Sequence, residues 1–530
     1  MRTIFVISTF ISLLYLLFKS KKALHMLQQN YYNDDKRYIK WMSNNYKKMF
    51  LNFDILFLIF IVFLFIKNSI LSIIVFTCLY IVSYLTYKHK LENEQSKKPL
   101  VITSRVKRLY VTEIVLYLLL VLPMIFRYKE NYINIYYLLI GFMIFANWYL
   151  VLLANIINKP IEKIVFNHFK RMAQNKLSEM TNLKKIAITG SYGKTSSKNI
   201  LNDILNVKYN SYATEKSFNT MNGLMISINN KLDKFTDVFI SEMGAFKRGE
   251  IKELCDLIKP QYGILTVIGT AHLETFKTRE NIQKAKFELI DSLPENGIAI
   301  LNMDDPYQTS YEVKSDCKKV WVSLKNKKAD VCATDIKLSG EGTEFKVLFK
   351  KTKESIVLKT KLLGNSNVYN ILQAVALAYN LGLTLKQIET GVKRIRPIEH
   401  RLELKKYGDI NIIDDAYNSN PVGSQTAVEV LGMMKGKKII VTPGMVELGE
   451  KQDEYNMEFG KQISKVCDEV ILIGEEQTKP IHEGLKKSKY SEKHIHVLND
   501  VKEAFPLMKR LSEKDTYVLL ENDLPDIFNE

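Results

Sequence analysis

Lys194 and Thr195 stand in the run KKIAITGSYGKTSSKNILNDIL (185–206), where an apolar stretch reaches a glycine turn and the turn opens a helix. Gly190 and Gly193 let the backbone wrap a phosphate with its N–H groups, and the helix N-terminus adds its partial positive charge. In that setting Lys194 would reach the outer phosphates of ATP, Thr195 would hold Mg²⁺, and Ser191 and Ser196 would complete the loop. The common phosphate loop places four residues between its glycines; here two separate Gly190 from Gly193. The GxxGKT form therefore points to a narrower group of ATP-using proteins. A strand–helix turn with no ligand is the alternative, and a Lys-Thr pair at a helix start argues against it.

Further residue types that handle phosphate and metal follow in order. TEKSFNTMNGLM carries Asn219 and Thr220, and VFISEMGAFKRGEI carries Glu242. QYGILTVIGTAHLETF carries His272 and NIQKAKFELIDSL carries Lys286. GNSNVYNILQAVALA holds Asn367 and Asn370, RPIEHRLEL holds Arg401, and IIDDAYNSNP runs from Asp414 to Pro421. Taken singly, a Glu or His at a strand end is as readily a satisfied polar core group. A lysine in IQKAKFELI would ordinarily face solvent, and Asn and Pro after a strand favour a plain turn.

As an ordered set over about 180–450, these motifs resemble the Mur ligase superfamily, and within it the MurF branch, which adds D-alanyl-D-alanine to the cell-wall precursor. DDAYNSNP and MVELGE are especially similar to that branch. The resemblance implies an ATP-dependent ligase that joins a carboxylate to an amine through an acyl phosphate. It implies one Mg²⁺ on Thr195 and Glu242 and a second near His272. It implies that Lys286 reacts with CO₂ to become a carbamate that steadies the second ion. Asn367 would contact adenine, Arg401 would bridge ATP from the interdomain hinge, and Asp415 would hold the ribose. Asn219, Thr220, Asn418 and Asn420 would seat substrate. Lys194, His272, Lys286 and Arg401 form the expected catalytic set.

The chemistry explains the residue types. Oxide is a hopeless leaving group, so a carboxylate must be phosphorylated before an amine can displace it. Phosphoryl transfer crowds negative charge, and cations must line it. A carbamate forms only from a neutral amine, so Lys286 needs a lowered pKa. Lys284 lies two positions away and so faces another part of the helix. Asp414 and Asp415 point to opposite faces of a strand, so only one can meet the nucleotide.

These residues need an α/β scaffold to hold them. Residues 175–397 alternate strands and helices and read as a parallel sheet, with a small antiparallel sheet inserted where 328–360 alternate polar and apolar. Residues 398–530 carry short apolar strands (INIID, KKIIVTPG, EVILIG, HIHVL, TYVLLEN) between helices and read as a Rossmann-like domain. ATP is expected at the carboxyl ends of the strands, between the two lobes.

Residues 1–165 read differently. Apolar runs at about 3–18, 53–67, 70–87, 109–126 and 134–158 suggest five membrane spans, the second and third forming a tight hairpin around Lys67, Asn68 and Ser69. No small-residue cleavage site follows the first run, which argues against a cleaved signal peptide. Lys and Arg crowd two loops, Lys21 to Lys48 and Lys88 to Arg108, and are sparse in the other two. The rich loops are therefore expected in the cytoplasm, with the N-terminus outside and everything after Asn158 inside, at a bacterial cell membrane. Glu113 and Pro123 fall inside the fourth run; a membrane-embedded Glu is a functional candidate, and a snorkelling role near the basic end is the alternative.

The net charge of +18 fits an anionic membrane surface and anionic substrates. Nucleic acid is not expected, because the basic residues do not interleave with aromatics along one groove. Cys78, Cys255, Cys317, Cys332 and Cys467 are scattered and read as reduced thiols. Two departures from the MurF pattern matter. Membrane helices stand where a substrate-nucleotide domain usually lies, and the chain closes on LLENDLPDIF rather than a KGS-type strand end. The acceptor could then be lipid- or nucleotide-linked, and the amine an amino acid or a dipeptide. A poly-γ-glutamate-type synthetase is the main enzymatic alternative. A membrane NTPase coupled to transport would need neither Lys286 nor a second lobe.

Overall fold

The computed structural model describes residues 1–30, 32, 35–50, 68–92, 99–270, 273–339, 342–397, 400–408, 410–416, 419–446 and 448–523. The chain divides into two compact units, Met1–His168 and Phe169–Glu530.

The first unit is helical. Among the described residues, three helices are long and apolar enough to cross a membrane: Arg2–Gln29, Ser69–His89 and Ser104–Phe126. The expected run 53–67 lies outside the described residues. The expected fifth span is not one straight helix, because Glu130–Phe145 and Asn147–Glu179 meet at a bend of 74°. Asn147, buried at that break, donates through Nδ2 to Ser20 Oγ at 2.6 Å, which ties the two helices together. Asn68 Oδ1 caps the third run by accepting the N–H groups of Ile70 and Leu71. Polar pairs tie the helices together: Ser8 with Thr77, Tyr117 with Thr9 O, and Asn158 with Thr112. Glu113 is fully enclosed within this unit and does not snorkel.

Among the described residues, the second unit holds two sheets. The first has nine strands: β1 (Lys184–Thr189), β2 (Ser211–Ala213), β3 (Val238–Glu242), β4 (Tyr262–Leu265), β5 (Ile298–Asn302), β6 (Lys318–Ser323), β7 (Val331–Ser339), β8 (Gly342–Phe349) and β9 (Glu354–Thr360). Their order is β2-β3-β1-β4-β5-β6-β7-β8-β9. Strands β1 to β6 are parallel, and β7, β8 and β9 pair antiparallel. The alternating segment does not make a separate small sheet: β7 pairs parallel with β6 through Val322–Val331 and Ser323–Cys332, so the hairpins extend the main sheet. β1 lies between β3 and β4 and is wholly buried along Ile186–Thr189, as expected of a central parallel strand. The apolar helix Asn365–Asn380 shares the core of this sheet.

The second sheet contains β10 (Glu403–Tyr407), β11 (Ile410–Asp415), β12 (Lys438–Thr442), β13 (Glu469–Ile473), β14 (Ile495–Leu498) and β15 (Tyr517–Glu521). The order is β10-β11-β15-β12-β13-β14, parallel except for β10.

Candidate active site

The carboxyl end of β1 turns through Gly190–Gly193 into the helix Lys194–Leu205. Both glycines are held by packing. Gly193 adopts φ 78°, a region closed to most side chains, and a Cβ there would meet Asn370 Oδ1 at 2.7 Å. A Cβ on Gly190 would fall 1.9 Å from Thr266 Oγ1. The segment after β4 braces the loop from outside. Ser191 N–H donates to Val267 O at 2.7 Å, Gly269 N–H donates to Ser191 Oγ at 3.0 Å, and Thr266 Oγ1 donates to Tyr192 O at 2.6 Å. Ser196 is buried in the helix's first turn.

Lys194 Nζ folds back onto its own loop and donates to Gly190 O at 2.9 Å and Ser191 O at 3.1 Å. Burial lowers its pKa; Glu242 works against that and the positive Arg401 adds to it. Thr195 Oγ1 donates to Glu242 Oε2 at 2.9 Å, joining the expected metal ligands across the neighbouring ends of β1 and β3. Asn219 Nδ2 donates to Glu242 Oε1 at 3.1 Å. Lys198, invisible to motif reading, is fully buried with Nζ 3.3 Å from Glu242 Oε2. Its signal was spacing: three positions after Thr195 and four after Lys194, it shares their helix face.

Lys286 lies on the helix Arg279–Phe287 and is 2% exposed, whereas Lys284 on the same helix faces solvent. Burial, then the nearby Lys194 charge, brings Lys286 down to about 7. Its Nζ stands 5.8 Å from the centre of the Phe276 ring. His272 and Asn418 lie outside the described residues.

From the other lobe, Arg401 acts on the charges of both Lys194 and Asp415, so it stands between the phosphate loop and the second sheet. Asp414 and Asp415 diverge as strand geometry requires. Asp414 bonds His400 Nδ1 at 2.8 Å and Lys405 Nζ at 2.7 Å. Burial would raise Asp414, yet these partners hold it low. Asp415 turns the other way, accepts Leu402 N–H at 3.1 Å, and burial pushes it up to about 6.

Three expected site residues carry structural bonds. Thr220 caps the helix Met221–Asn230 by accepting Gly223 N–H, and Asn420 caps Pro421–Gly432 by accepting Gly423 N–H at 2.9 Å. Asn367 Nδ2 donates to Leu363 O at 2.9 Å.

Residues 188–378 match the Mur ligase middle domain, and residues 400–521 match the Mur ligase glutamate ligase domain. The UDP-N-acetylmuramoyl-tripeptide–D-alanyl-D-alanine ligase of Buchnera aphidicola (strain APS) is 33% identical over 325 residues, covering 59% of this chain and 70% of that enzyme. The chain belongs to the Mur ligase family. The corresponding ligase of Escherichia coli (strain K12) is 32% identical over 295 residues, which cover 55% of this Mur ligase and 64% of that enzyme, so the match stops short of two thirds of that relative. The crystal structure of the MurF ligase of Thermotoga maritima in complex with ADP superposes on 68% of this Mur ligase and 80% of that chain, with a TM-score of 0.61 and 26% identity. Both matched domains of this Mur ligase lie in its second unit.

Proposed function

We propose that this Mur ligase is an ATP-dependent ligase that forms an amide bond between a carboxylate acceptor and an amino acid or peptide in cell-wall synthesis, with ADP and phosphate as products. The observation that carries the reading is the cluster at the ends of β1 and β3: Lys194 on the glycine loop, Thr195 bonded to Glu242, and buried Lys286 within electrostatic reach of Lys194.

The residues fit the groups such a reaction needs. Thr266 and Asn370 leave no room for a Cβ at Gly190 or Gly193, so the loop stays tight and its backbone N–H groups suit phosphate oxygens. Thr195 and Glu242 offer hard oxygen donors of the kind Mg²⁺ takes, with His272 and Lys286 assigned to a second ion. Bound Mg²⁺ would neutralise charge on the transferring phosphoryl group. Lys194 would trade its two loop carbonyls for phosphate oxygens, and Arg401 would bring a second positive charge from the other lobe. Asn219 orients Glu242. A buried Lys286 with a pKa near 7 offers the neutral amine that CO₂ requires, which supports its conversion to a carbamate. Asp415 takes the ribose and Asn367 the adenine.

The first unit supports a membrane-anchored enzyme whose catalytic lobes face the cytosol. Three apolar helices of spanning length and the Lys and Arg asymmetry of their loops carry this part. These helices occupy the stretch of chain where a MurF carries its substrate-nucleotide domain, and we assign them the acceptor, held by a lipid or nucleotide carrier.

The test is a substrate comparison with full-length protein in detergent or nanodiscs. ATP is supplied with D-alanyl-D-alanine and either UDP-linked muramyl tripeptide or membrane extract, and phosphate release and product mass are read. A product heavier than the acceptor by one condensed amine, with stoichiometric phosphate, is expected. ATP hydrolysis with no condensed product from either acceptor would reject the ligase reading.

A further inference from the structure

We propose that Arg279 and Tyr455 are positioning residues: the hydrogen bond between them latches the second lobe onto the helix that carries Lys286, an inference that rests on the ligase reading above. Arg279 Nη2 donates to the Tyr455 hydroxyl at 3.2 Å, across 176 positions of sequence. Arg279 belongs to the lobe of the first sheet, and Tyr455 stands on the helix Gln452–Ile463 of the second. Arg279 opens the helix Arg279–Phe287, and Lys286 follows two turns later on the same face. A cation in the first turn of a helix opposes the helix dipole. A local rule broken in this way marks a residue kept for what it touches.

Both ends of the bond are anchored in their own lobes. On the first, Thr278 Oγ1 caps the helix by accepting Asn281 N–H at 3.2 Å, and Asn281 Nδ2 donates to Phe276 O at 2.9 Å, so the backbone at Arg279 is fixed. The guanidinium stands 5.8 Å from the centre of the Tyr307 ring, a cation–π distance. Gln283 Nε2 donates to Tyr307 O at 2.6 Å and ties that segment to the same helix. On the second lobe, the Tyr455 ring packs against the core and its hydroxyl reaches across. The donor is charged, so the bond belongs to the stronger kind, and both residues are half-buried, which screens it less than open water would.

The bond sits beside the phosphate loop. Tyr192 of that loop lies within electrostatic reach of both Arg279 and Tyr455. Its hydroxyl shares a hydrogen bond of 3.1 Å with Thr270 Oγ1, and its ring lies over Gly269, where a Cβ would fall 2.3 Å from a ring carbon. The lobes are thus joined next to the loop assigned to ATP and on the helix assigned to the second metal ion. An acyl phosphate formed on the first lobe must meet an amine seated on the second, where Asn418 and Asn420 are assigned to substrate. Holding two reactants in one geometry supplies much of such a rate. A lobe that swings open lets water take the place of the amine. The water oxygen attacks the acyl carbon, the carbon–oxygen bond to phosphate breaks, and phosphate leaves with the electron pair. The acceptor carboxylate is regenerated, and the protons of the water pass to phosphate and solvent. The latch therefore governs how much phosphate is released for each amide formed.

The test uses full-length protein in nanodiscs with ATP, D-alanyl-D-alanine and either UDP-linked muramyl tripeptide or membrane extract, and both phosphate and amide are counted. Tyr455→Phe removes only the hydroxyl and leaves the ring in its core. It is expected to lower kcat for amide formation by about tenfold, to leave the KM for ATP within about twofold, and to raise the phosphate-to-amide ratio above that of wild type. Arg279→Met, which loses the donors at a partly exposed position, is expected to act in the same way, and it serves if the first variant melts early. In the double variant the second change is expected to add less than about twofold, because its partner is already gone. A Tyr455→Phe enzyme with wild-type kcat and ratio overturns the latch. So do two losses that multiply fully in the double variant, since independent sites behave that way. A loss matched by an equal rise in the ATP KM also overturns it, because that marks a nucleotide contact. Wild-type protein that forms no amide removes the ligase reading, and the latch with it; an active wild type with unaffected variants removes the latch alone.

Discussion

Lys198 Nζ lies 3.3 Å from Glu242 Oε2, the oxygen that also accepts the Thr195 hydroxyl at 2.9 Å. A fully buried ammonium therefore fixes the carboxylate assigned to Mg²⁺. Removing one partner of such a pair leaves an uncompensated buried charge and costs about 3–5 kcal/mol. Lys198→Met is expected to lower the melting temperature and to raise the Mg²⁺ concentration for half-maximal ATP turnover by roughly 10–100-fold. A Mg²⁺ titration that matches wild type would leave Lys198 with a packing role only.

Lys194→Ala removes the cation folded onto the phosphate loop while leaving the helix a good former at its first position. ATP turnover is expected to fall by about 100-fold or more, with the melting temperature nearly unchanged. Normal turnover in a folded variant would withdraw the phosphate-site assignment.

Lys286→Ala opens space in a buried site beside Lys194. The variant is expected to be inactive and to regain part of its activity with added formate or acetate, whose carboxylate restores the lost negative charge. Retained activity without added acid would refute the carbamate.

Orientation is open to labelling in intact cells. Tags at residue 30, at residue 95 and at the C-terminus are expected to be protected, and a tag at residue 130 to be reachable, because Lys and Arg crowd the loops that stay inside. Labelling of the C-terminal tag from outside would reverse the topology.

A shortened chain beginning at Phe169 retains both sheets and every described residue assigned to ATP. It is expected to bind ATP with close to full-length affinity and to ligate its natural acceptor poorly. Equal ligation of UDP-linked muramyl tripeptide by both chains would reduce the helices to an anchor.

The phosphate loop was legible because its glycines, lysine and threonine are adjacent in sequence and each has one physical use. The five apolar strands expected after residue 398 are all present, since short buried strands announce themselves by continuous apolar runs. Helical spacing put Lys284 and Lys286 on different parts of the helix and the family resemblance singled out Lys286; burial divides the two. Other features depend on partners far away in sequence. Spacing sets Lys198 on the helix face of Lys194 and Thr195, but its partner, a glutamate 44 positions later, is not marked locally, since lysine on a helix is ordinarily solvated. The alternation in 328–360 foretold antiparallel strands but not that β7 would join β6 edge to edge. Asn147, at the break, bonds Ser20, more than a hundred residues earlier, a pairing that hydropathy windows do not register.

The position of β1 has a temporal consequence. It is the first strand of its sheet to be synthesised, yet it lies between β3 and β4, and its loop is braced by residues 266–270. A ribosome that has released β1 and the following helix has not yet supplied either neighbour. Parallel pairing of this kind waits on distant chain, whereas the hairpins β7 to β9 can close locally. The nucleotide loop therefore takes shape only after about 80 further residues emerge, at roughly 5–20 residues per second. During that interval the apolar face of β1 is open to chaperones, and the nascent chain has no assembled phosphate site with which to consume ATP.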